Sequence, residues 1–207
     1  MNKNDYNKIK NFTFKSEFYP REVALSEVAT WAIWDENDKY NTKIIEQSLE
    51  KLKTNTVFVA LNFAGVDSKL YLDEPFWKEW QNFHGDRTQT DKKLFGMLQN
   101  TKYEGSYITD LLKLVPTKTS LELRDKIKNS EIDLEAQVNL FIQELEILQT
   151  DDIELYLMGC ETERIFKKYF YKSVEQKIKS YKRILHTSNY HGSNEDFYKK
   201  VREQLEL

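Results

Sequence analysis

The sequence feature that most constrains the fold is the apolar run at residues 57–61, which leads directly into Asn62. Such a run, with a glycine at position 65 as a turn signal, is typical of a strand buried on both faces of a parallel sheet. In open α/β sheets, ligands bind outside the carboxyl ends of the strands. Asn62 is therefore predicted to stand at the mouth of a ligand-binding crevice.

Three further strands are predicted, and they lead into Asp110, Gly159 and His186. Helices are predicted between and after the strands, over residues 41–53, 91–98, 121–129, 134–148, 161–170 and 195–205. Strands that alternate with helices are typical of a parallel sheet covered on both faces. The predicted fold class is therefore α/β, a three-layer α/β/α fold with a mainly parallel four-stranded central sheet.

Three of the predicted strands end in unlike polar residues, Asn62, Asp110 and His186. Right-handed crossovers place these ends at the same edge of the sheet, where a few polar groups around one crevice can form a ligand site. Each residue also has a structural interpretation. Asn62 can be a turn residue, Asp110 can cap a following helix, and His186 can be a partly buried histidine with a satisfied hydrogen bond.

Length and composition favour one domain over residues 1–207, with an N-terminal packing segment at 1–55 and a core at 56–207. No apolar run approaches the roughly 18 residues of a membrane span, and no signal peptide is recognisable, so a cytoplasmic protein without membrane contact is expected. One cysteine, Cys160, excludes an internal disulfide. With three scattered histidines it forms no metal-ligand cluster, and no cofactor is expected.

The net charge of -3 gives no overall basic field, but residues 164–183 hold eight basic residues and one acidic residue. This stretch is either a solvated helical face or a patch that contacts phosphates. Lys182 and Arg183 are the candidate phosphate contacts because they come shortly before His186.

Four motifs, in this order, resemble those of the uracil-DNA glycosylase superfamily. Residues 61–65 (Leu-Asn-Phe-Ala-Gly) resemble the strand and Asn-Pro-Gly motif of its mismatch-specific and single-strand-selective branches, and residues 186–189 (His-Thr-Ser-Asn) resemble its His-Pro-Ser-Pro motif. Residues 107–113 resemble its middle strand, and residues 155–159 resemble the strand before the last one. The resemblance covers about residues 55 to 205.

The resemblance implies a monofunctional DNA glycosylase that works in base-excision repair, without a metal and as a monomer, on single- or double-stranded DNA. Asn62 would hold a water at the sugar C1′ of an extruded nucleotide, and His186 would donate a hydrogen bond to a carbonyl of the departing base. Further substrate contacts are implied at an aromatic platform, at the base edge and at a loop that pinches the DNA backbone. These contacts are Phe83, His84, Asp110, Ser188 and Asn189.

The motifs depart from the superfamily pattern at four positions. Phe63, Thr187 and Asn189 stand where the motifs have proline, and Asp110 stands where relatives have asparagine. An ionised carboxylate only accepts hydrogen bonds, whereas an amide also donates, so an ionised Asp110 would repel a uracil carbonyl. A protonated Asp110, or a base with an amino group at that place, would be compatible.

Two other functions are compatible with the sequence. A catalytically silent protein of the same fold would bind nucleic acid, a nucleotide or a protein partner. A hydrolase of free nucleosides would use the same site but would need no basic patch.

Overall fold

A computed structural model describes residues 1–19, 21–38, 40–64, 79–84, 89–117, 119–188 and 192–207 of the chain, with the backbone alone at residues 63–64 and 89–90. The described residues form a mixed α/β structure in which a mostly parallel central sheet is flanked by helices. The predicted alternation of strands and helices is therefore present.

The strands in chain order are β1 (Thr13–Lys15), β2 (Glu22–Ala24), β3 (Thr30–Trp31), β4 (Lys53–Ala64), β5 (Ser106–Thr117), β6 (Ile153–Met158) and β7 (Ile178–Ile184). β1 and β2 pair with each other, and the others form one sheet in the order β3-β5-β4-β6-β7. The strands β4 to β7 are parallel, while β3 pairs antiparallel with β5. The sheet thus has five strands rather than the predicted four, because the short β3 covers the open edge of β5.

The helices are α1 (Lys3–Asn11), α2 (Leu25–Val28), α3 (Lys43–Gln47), α4 (Gln89–Leu98), α5 (Ser120–Lys128), α6 (Leu134–Ile147), α7 (Cys160–Ile165), α8 (Tyr171–Val174) and α9 (Asn194–Leu205). A 3₁₀ turn at Leu49–Lys51 follows α3, and a π-helical segment at Phe166–Phe170 joins α7 to α8. The helix predicted over residues 41–53 is therefore two short turns, which meet at Ser48.

Two hydrophobic clusters lie on opposite faces of the sheet. One contains Val57 and Val59 of β4 and packs against α1, α6 and the helical segment at 160–174. The other contains Phe58 and Ala60 of β4 and packs against α4 and α9. Because side chains alternate along a strand, Asn62 belongs to the same face as Phe58 and Ala60. This face, between the sheet and the helices α4 and α9, is called the α4/α9 face below.

Strand order and register place the end of β7 near the level of Ala60 of β4, and β4 continues beyond it to Ala64. The chain runs from β4 to β5 on one side and later to β6 and β7 on the other, so the topological switch point lies between β4 and β6. Val59 of β4 and Arg183 of β7 both pair with Leu157 of β6. Asn62 lies three residues further along β4, and His186 lies two residues beyond the end of β7, next to Gly159 at the end of β6.

Two predicted strand ends are wrong in detail. β5 does not end at Asp110 but continues to Thr117, so Asp110 is buried in the middle of the strand. Asp110 therefore does not cap a helix. Similarly, β4 continues two residues beyond Asn62. The apolar residues after Asp110 extend the strand because they are buried against the first cluster, as Leu111 and Leu112 are.

Candidate functional site

The amide of Asn62 is oriented by the irregular end of β5. Its Nδ2 donates to the carbonyl oxygen of Val115 at 2.8 Å and to the hydroxyl of Thr117 at 2.9 Å. Both partners lie beyond a residue of β5, Leu114, that has a positive φ of 56°, where the pairing of β4 and β5 shifts register. Because a carbonyl can only accept, the NH₂ group must face β5, and Oδ1 is fixed as the acceptor atom of the side chain.

His186 is held in one tautomer by Ser188. The backbone N–H of Ser188 donates to Nδ1 of His186 at 3.0 Å, and the hydroxyl of Ser188 lies 2.7 Å from the same atom. Burial lowers the pKa of His186 below its ordinary value of 6.5, so the imidazole is neutral at pH 7. Since Nδ1 accepts, the proton of the neutral ring is on Nε2, which is a hydrogen-bond donor.

Gly159 allows the close approach of His186 to the end of β6. Its φ is +97°, and a Cβ atom at this position would lie 3.0 Å from the Cβ of His186. The N–H of Gly159 also donates to the carbonyl of Ile184 at 2.9 Å, which ties β6 to the end of β7. A side chain at position 159 would therefore displace the imidazole.

Asp110 is buried one strand away from Asn62 and deeper in the sheet. It pairs with Ala60, which places its side chain on the α4/α9 face, and only 4% of it is exposed. Burial raises the pKa of Asp110 to about 7, although the ammonium of Lys113 and the amide of Asn82 oppose this rise. The carboxylate of Glu144 adds to the rise. At neutral pH both the protonated and the ionised form are populated.

The segment at 79–84 contains Phe83, the predicted aromatic platform, and lies next to Asp110. Asn82 donates to the carbonyl of Val28 at 2.6 Å and makes a long contact of 3.5 Å with the carboxylate of Asp110. Phe83, half-buried, packs against the second cluster. Its φ of 63° is unusual for a bulky residue, and such conformations persist where the surrounding structure enforces them.

Trp80 anchors this segment to the N-terminal part of the chain. Its side chain is fully buried, and its Nε1 donates to the hydroxyl of Tyr6 at 2.9 Å. Its backbone N–H donates to the carbonyl of Ser26, and its own carbonyl accepts from the hydroxyl of Thr30. Asn82 and Phe83 are therefore positioned by residues of the N-terminal packing segment.

His84 is buried beside this segment. Its ring stacks on Trp34 with centroids 5.0 Å apart, and its Nε2 lies 3.2 Å from the carbonyl oxygen of Trp31. Since a carbonyl only accepts, Nε2 of His84 carries a proton. The predicted contact of His84 with a substrate stays a prediction, and its ring contacts Trp31 and Trp34.

Lys182 and Arg183 point to opposite faces of β7 because they are consecutive residues of a strand. The Lys182 ammonium lies 2.8 Å from Glu206, which follows α9, and the Arg183 guanidinium lies 3.1 Å from Glu163 of α7. Most other basic side chains of the stretch 164–183 are also paired with carboxylates, as in Arg164–Glu161, Lys167–Glu163, Lys172–Glu175, Lys177–Glu146 and Lys179–Glu154. The two residues therefore do not form one patch.

The described residues thus bring Asn62, Asp110, Asn82 and Phe83 to one face, with His186 and Ser188 at the same edge of the sheet. Asn189 lies outside the residues that the structure describes. Within those residues no cluster of histidine, cysteine, aspartate and glutamate side chains could hold a metal ion. Nor do they contain a helix with the length and apolar character of a membrane span.

Three residues of this region were missed by the sequence analysis. Asn82 and Thr117 contact predicted site residues directly, and Lys93 of α4 donates to the carbonyl of Thr187, between His186 and Ser188. Asn82 immediately precedes Phe83, a predicted substrate contact, and this position in the sequence could have indicated it. Lys93 falls within the apolar stripe of Leu94 and Met97, where a charged residue is unexpected.

Comparisons with protein-family models, with curated proteins and with solved structures found no match to the chain. The resemblance to uracil-DNA glycosylases therefore stays a prediction from the motifs.

Proposed function

We propose that the chain is a DNA glycosylase-like hydrolase that cleaves the N-glycosidic bond of an extruded, damaged or deaminated nucleotide. The observation that carries the proposal is the fixed pair of Asn62 and His186 at the topological switch point. One presents an amide oxygen as an acceptor, and the other presents Nε2–H as a donor. Both lie near the carboxyl ends of the parallel strands, where ligands bind in open α/β sheets.

The proposed reaction needs both groups in these orientations. The Oδ1 atom of Asn62 would hold a water against C1′. The water oxygen bonds to C1′, the C1′–N bond breaks, and its electron pair leaves with the base. The proton lost by the water neutralises the base anion. Neutral His186 would donate Nε2–H to a carbonyl oxygen of the base, where negative charge develops in the transition state.

Asp110 would determine which base edge is accepted. In its protonated form it donates to a carbonyl, and in its ionised form it accepts from an amino group. Because its pKa is about 7, release of a uracil-type base should fall as the pH rises above 7. The variant Asp110→Asn, which donates at every pH, should not show this fall.

The experiment uses single- and double-stranded oligonucleotides that carry a panel of deaminated and damaged bases. Wild type should produce an alkali-labile site with at least one of them, and Asn62→Ala should abolish it. His186→Ala should lower the single-turnover rate by about 10²–10³, as expected for the loss of one donor to a developing anion. Asn55→Ala is the matched control, since Asn55 is an exposed asparagine on the same strand.

Two results would contradict the proposal. Wild type would cleave none of the panel, or Asn62→Ala would cleave as fast as wild type while Asn55→Ala behaved normally.

A second candidate, hydrolysis of free nucleosides, is favoured by the paired basic residues at 164–183. A free nucleoside has no phosphate, so it would not need these charges. Charge reversal at Lys182 and Arg183 should then leave turnover of nucleosides unchanged, whereas it should weaken activity on DNA. Steady-state assays with both substrates distinguish the two functions.

A further inference from the structure

Lys93 is a buried cation with few partners. Only 8% of it is exposed, and its Nζ donates to the carbonyl oxygen of Thr187 at 3.1 Å. Nζ also lies 5.2 Å from the centre of the Phe197 ring. Among the residues that the structure describes, no carboxylate is within 4.0 Å of this ammonium group. Its positive charge therefore has no described counter-ion.

Lys113 is a buried lysine of the same protein that has a carboxylate as its counter-ion, and it provides a comparison for Lys93. Only 1% of Lys113 is exposed, and its Nζ lies 2.7 Å from the carboxylate of Glu144. It also donates to the hydroxyl of Thr109 and to the carbonyl of Asp110. Lys113 thus has two hydrogen-bond acceptors and an ion-pair partner that compensates its charge, whereas the described residues give Lys93 one acceptor and no ion-pair partner.

Burial of an uncompensated charge costs several kcal/mol, and buried lysines are rarely found without a partner. An apolar residue in place of Lys93 would avoid this cost. Within the part of the chain that the structure describes, nothing offsets this cost for Lys93, and an anion from a ligand would supply a counter-charge.

The position of Lys93 identifies the region in which that anion would bind. Thr187 lies between His186 and Ser188, so the ammonium is held against the loop that fixes the His186 tautomer. We propose that Lys93 is an anion-binding residue that takes a phosphate group of the ligand beside the candidate site. A lysine suits this ligand because its ammonium binds phosphate as a compact point charge with several donors. The proposal rests on the proposed function, because it takes the ligand to be a nucleotide.

The phosphate could belong to a DNA backbone or to a free nucleotide, and two binding probes distinguish these sources. One probe is a fluorescent single-stranded oligonucleotide without a lesion, and the other is a deoxynucleoside monophosphate beside its nucleoside. Binding of each is measured for wild type, for Lys93→Met and for Lys92→Met over a range of salt concentrations. Lys92 is the matched control because it is the exposed neighbour on the same helix.

If DNA supplies the phosphate, Lys93→Met should bind the oligonucleotide more weakly than wild type. The slope of log K against log salt should decrease by about 0.7, the value for one phosphate contact of a single strand. If a free nucleotide supplies it, Lys93→Met should lose the preference for the monophosphate over the nucleoside. Lys92→Met should behave as wild type in both cases.

The proposal is overturned if Lys93→Met binds both probes with wild-type affinity and salt slope. A second measurement needs no variant. Inorganic phosphate should raise the thermal midpoint of wild type above that in chloride at equal ionic strength, and equal midpoints would also overturn the proposal. Because neither readout requires turnover, loss of the proposed function would appear separately, as a protein that binds through Lys93 but cleaves nothing.

Discussion

At the scale of single residues, Asp110 differs most from its prediction. The sequence suggested a carboxylate at the open end of a strand, whereas the carboxyl group is buried in the middle of β5. Water is excluded there, so the neutral form is favoured and the pKa rises to about 7. The chemical objection to a carboxylate at the base edge is thereby weakened, because the protonated form has a donor.

The raised pKa of Asp110 predicts a pH-dependent stability. The pKa is about 7 in the folded protein and near 3.8 in the unfolded chain, so the folded state holds an extra proton between these pH values. The free energy of unfolding of wild type should therefore fall as the pH rises from about 4 to about 7. The fall should reach at most about 4 kcal/mol, since each pKa unit corresponds to about 1.4 kcal/mol.

Denaturant unfolding of wild type and Asp110→Asn over this pH range tests the prediction. The free energy of unfolding of the variant should not fall over this range. Its difference from that of wild type should therefore grow with pH and level off above about 7. Asp125→Asn, at an exposed aspartate of α5, serves as the control. A constant difference between wild type and Asp110→Asn would show that Asp110 does not titrate in this way.

The sequence indicated Asn62 and His186 as candidates because each follows a predicted strand, which is a local pattern. It could not reveal their orientations, since these depend on Val115, Thr117 and Ser188 through contacts made in the folded chain. Nor could it show that Lys93 is buried with no counter-ion among the described residues. That property depends on where the α4 helix packs, which the sequence alone does not determine.

At the scale of elements, a buried polar network joins β5 to α6. Glu144 of α6 accepts from the hydroxyls of Tyr107 and Thr109 and pairs with Lys113. Gln137 of α6 accepts from the backbone N–H of Lys113 and donates to its carbonyl. This network holds the part of β5 that leads into Val115, whose carbonyl orients Asn62.

The Lys113–Glu144 pair predicts strong coupling between its two residues. Glu144→Gln should lower the free energy of unfolding by about 3–5 kcal/mol, because it leaves the Lys113 ammonium buried without a counter-charge. The double variant Lys113→Met/Glu144→Gln should lose less than the sum of the two single variants. A double-mutant cycle by urea unfolding measures this coupling.

The exposed pair Lys51–Glu104 provides the comparison for that cycle. Surface pairs contribute about 1 kcal/mol or less, so its coupling should be much smaller. Equal coupling in the two cycles would mean that burial does not strengthen the Lys113–Glu144 pair.

Strand and helix positions were predictable where the apolar pattern is regular, as in α6 and α9. Predictions failed where a polar residue was taken as the end of an element. β5 continues through Asp110 because its buried neighbours keep pairing with β4, and periodicity gives no sign of the irregularity at Leu114. The change to a π-helix at residues 166–170 was equally invisible in the sequence.

At the scale of the whole molecule, distant parts of the chain build the candidate site together. The N-terminal segment, in which the sequence analysis found no chemistry, anchors Trp80 and Asn82 through Tyr6 and Val28. The basic stretch at 164–183 is largely neutralised by carboxylates, some of them close in sequence and others from α6, β6 and the C-terminus. Any phosphate contacts should therefore be few and local, as the proposed role of Lys93 requires, rather than a broad basic surface.

The most direct test of the account is the crystal structure of the protein with an oligonucleotide that carries an uncleavable nucleotide. A 2′-fluoro analogue of a substrate found in the panel assay is suitable, because the fluorine disfavours the cationic sugar. The account predicts an extruded nucleotide at the end of β4 and β7, with C1′ facing Oδ1 of Asn62 and a base carbonyl within hydrogen-bond distance of Nε2 of His186. A nucleotide bound elsewhere, or a base that contacts neither residue, would contradict it.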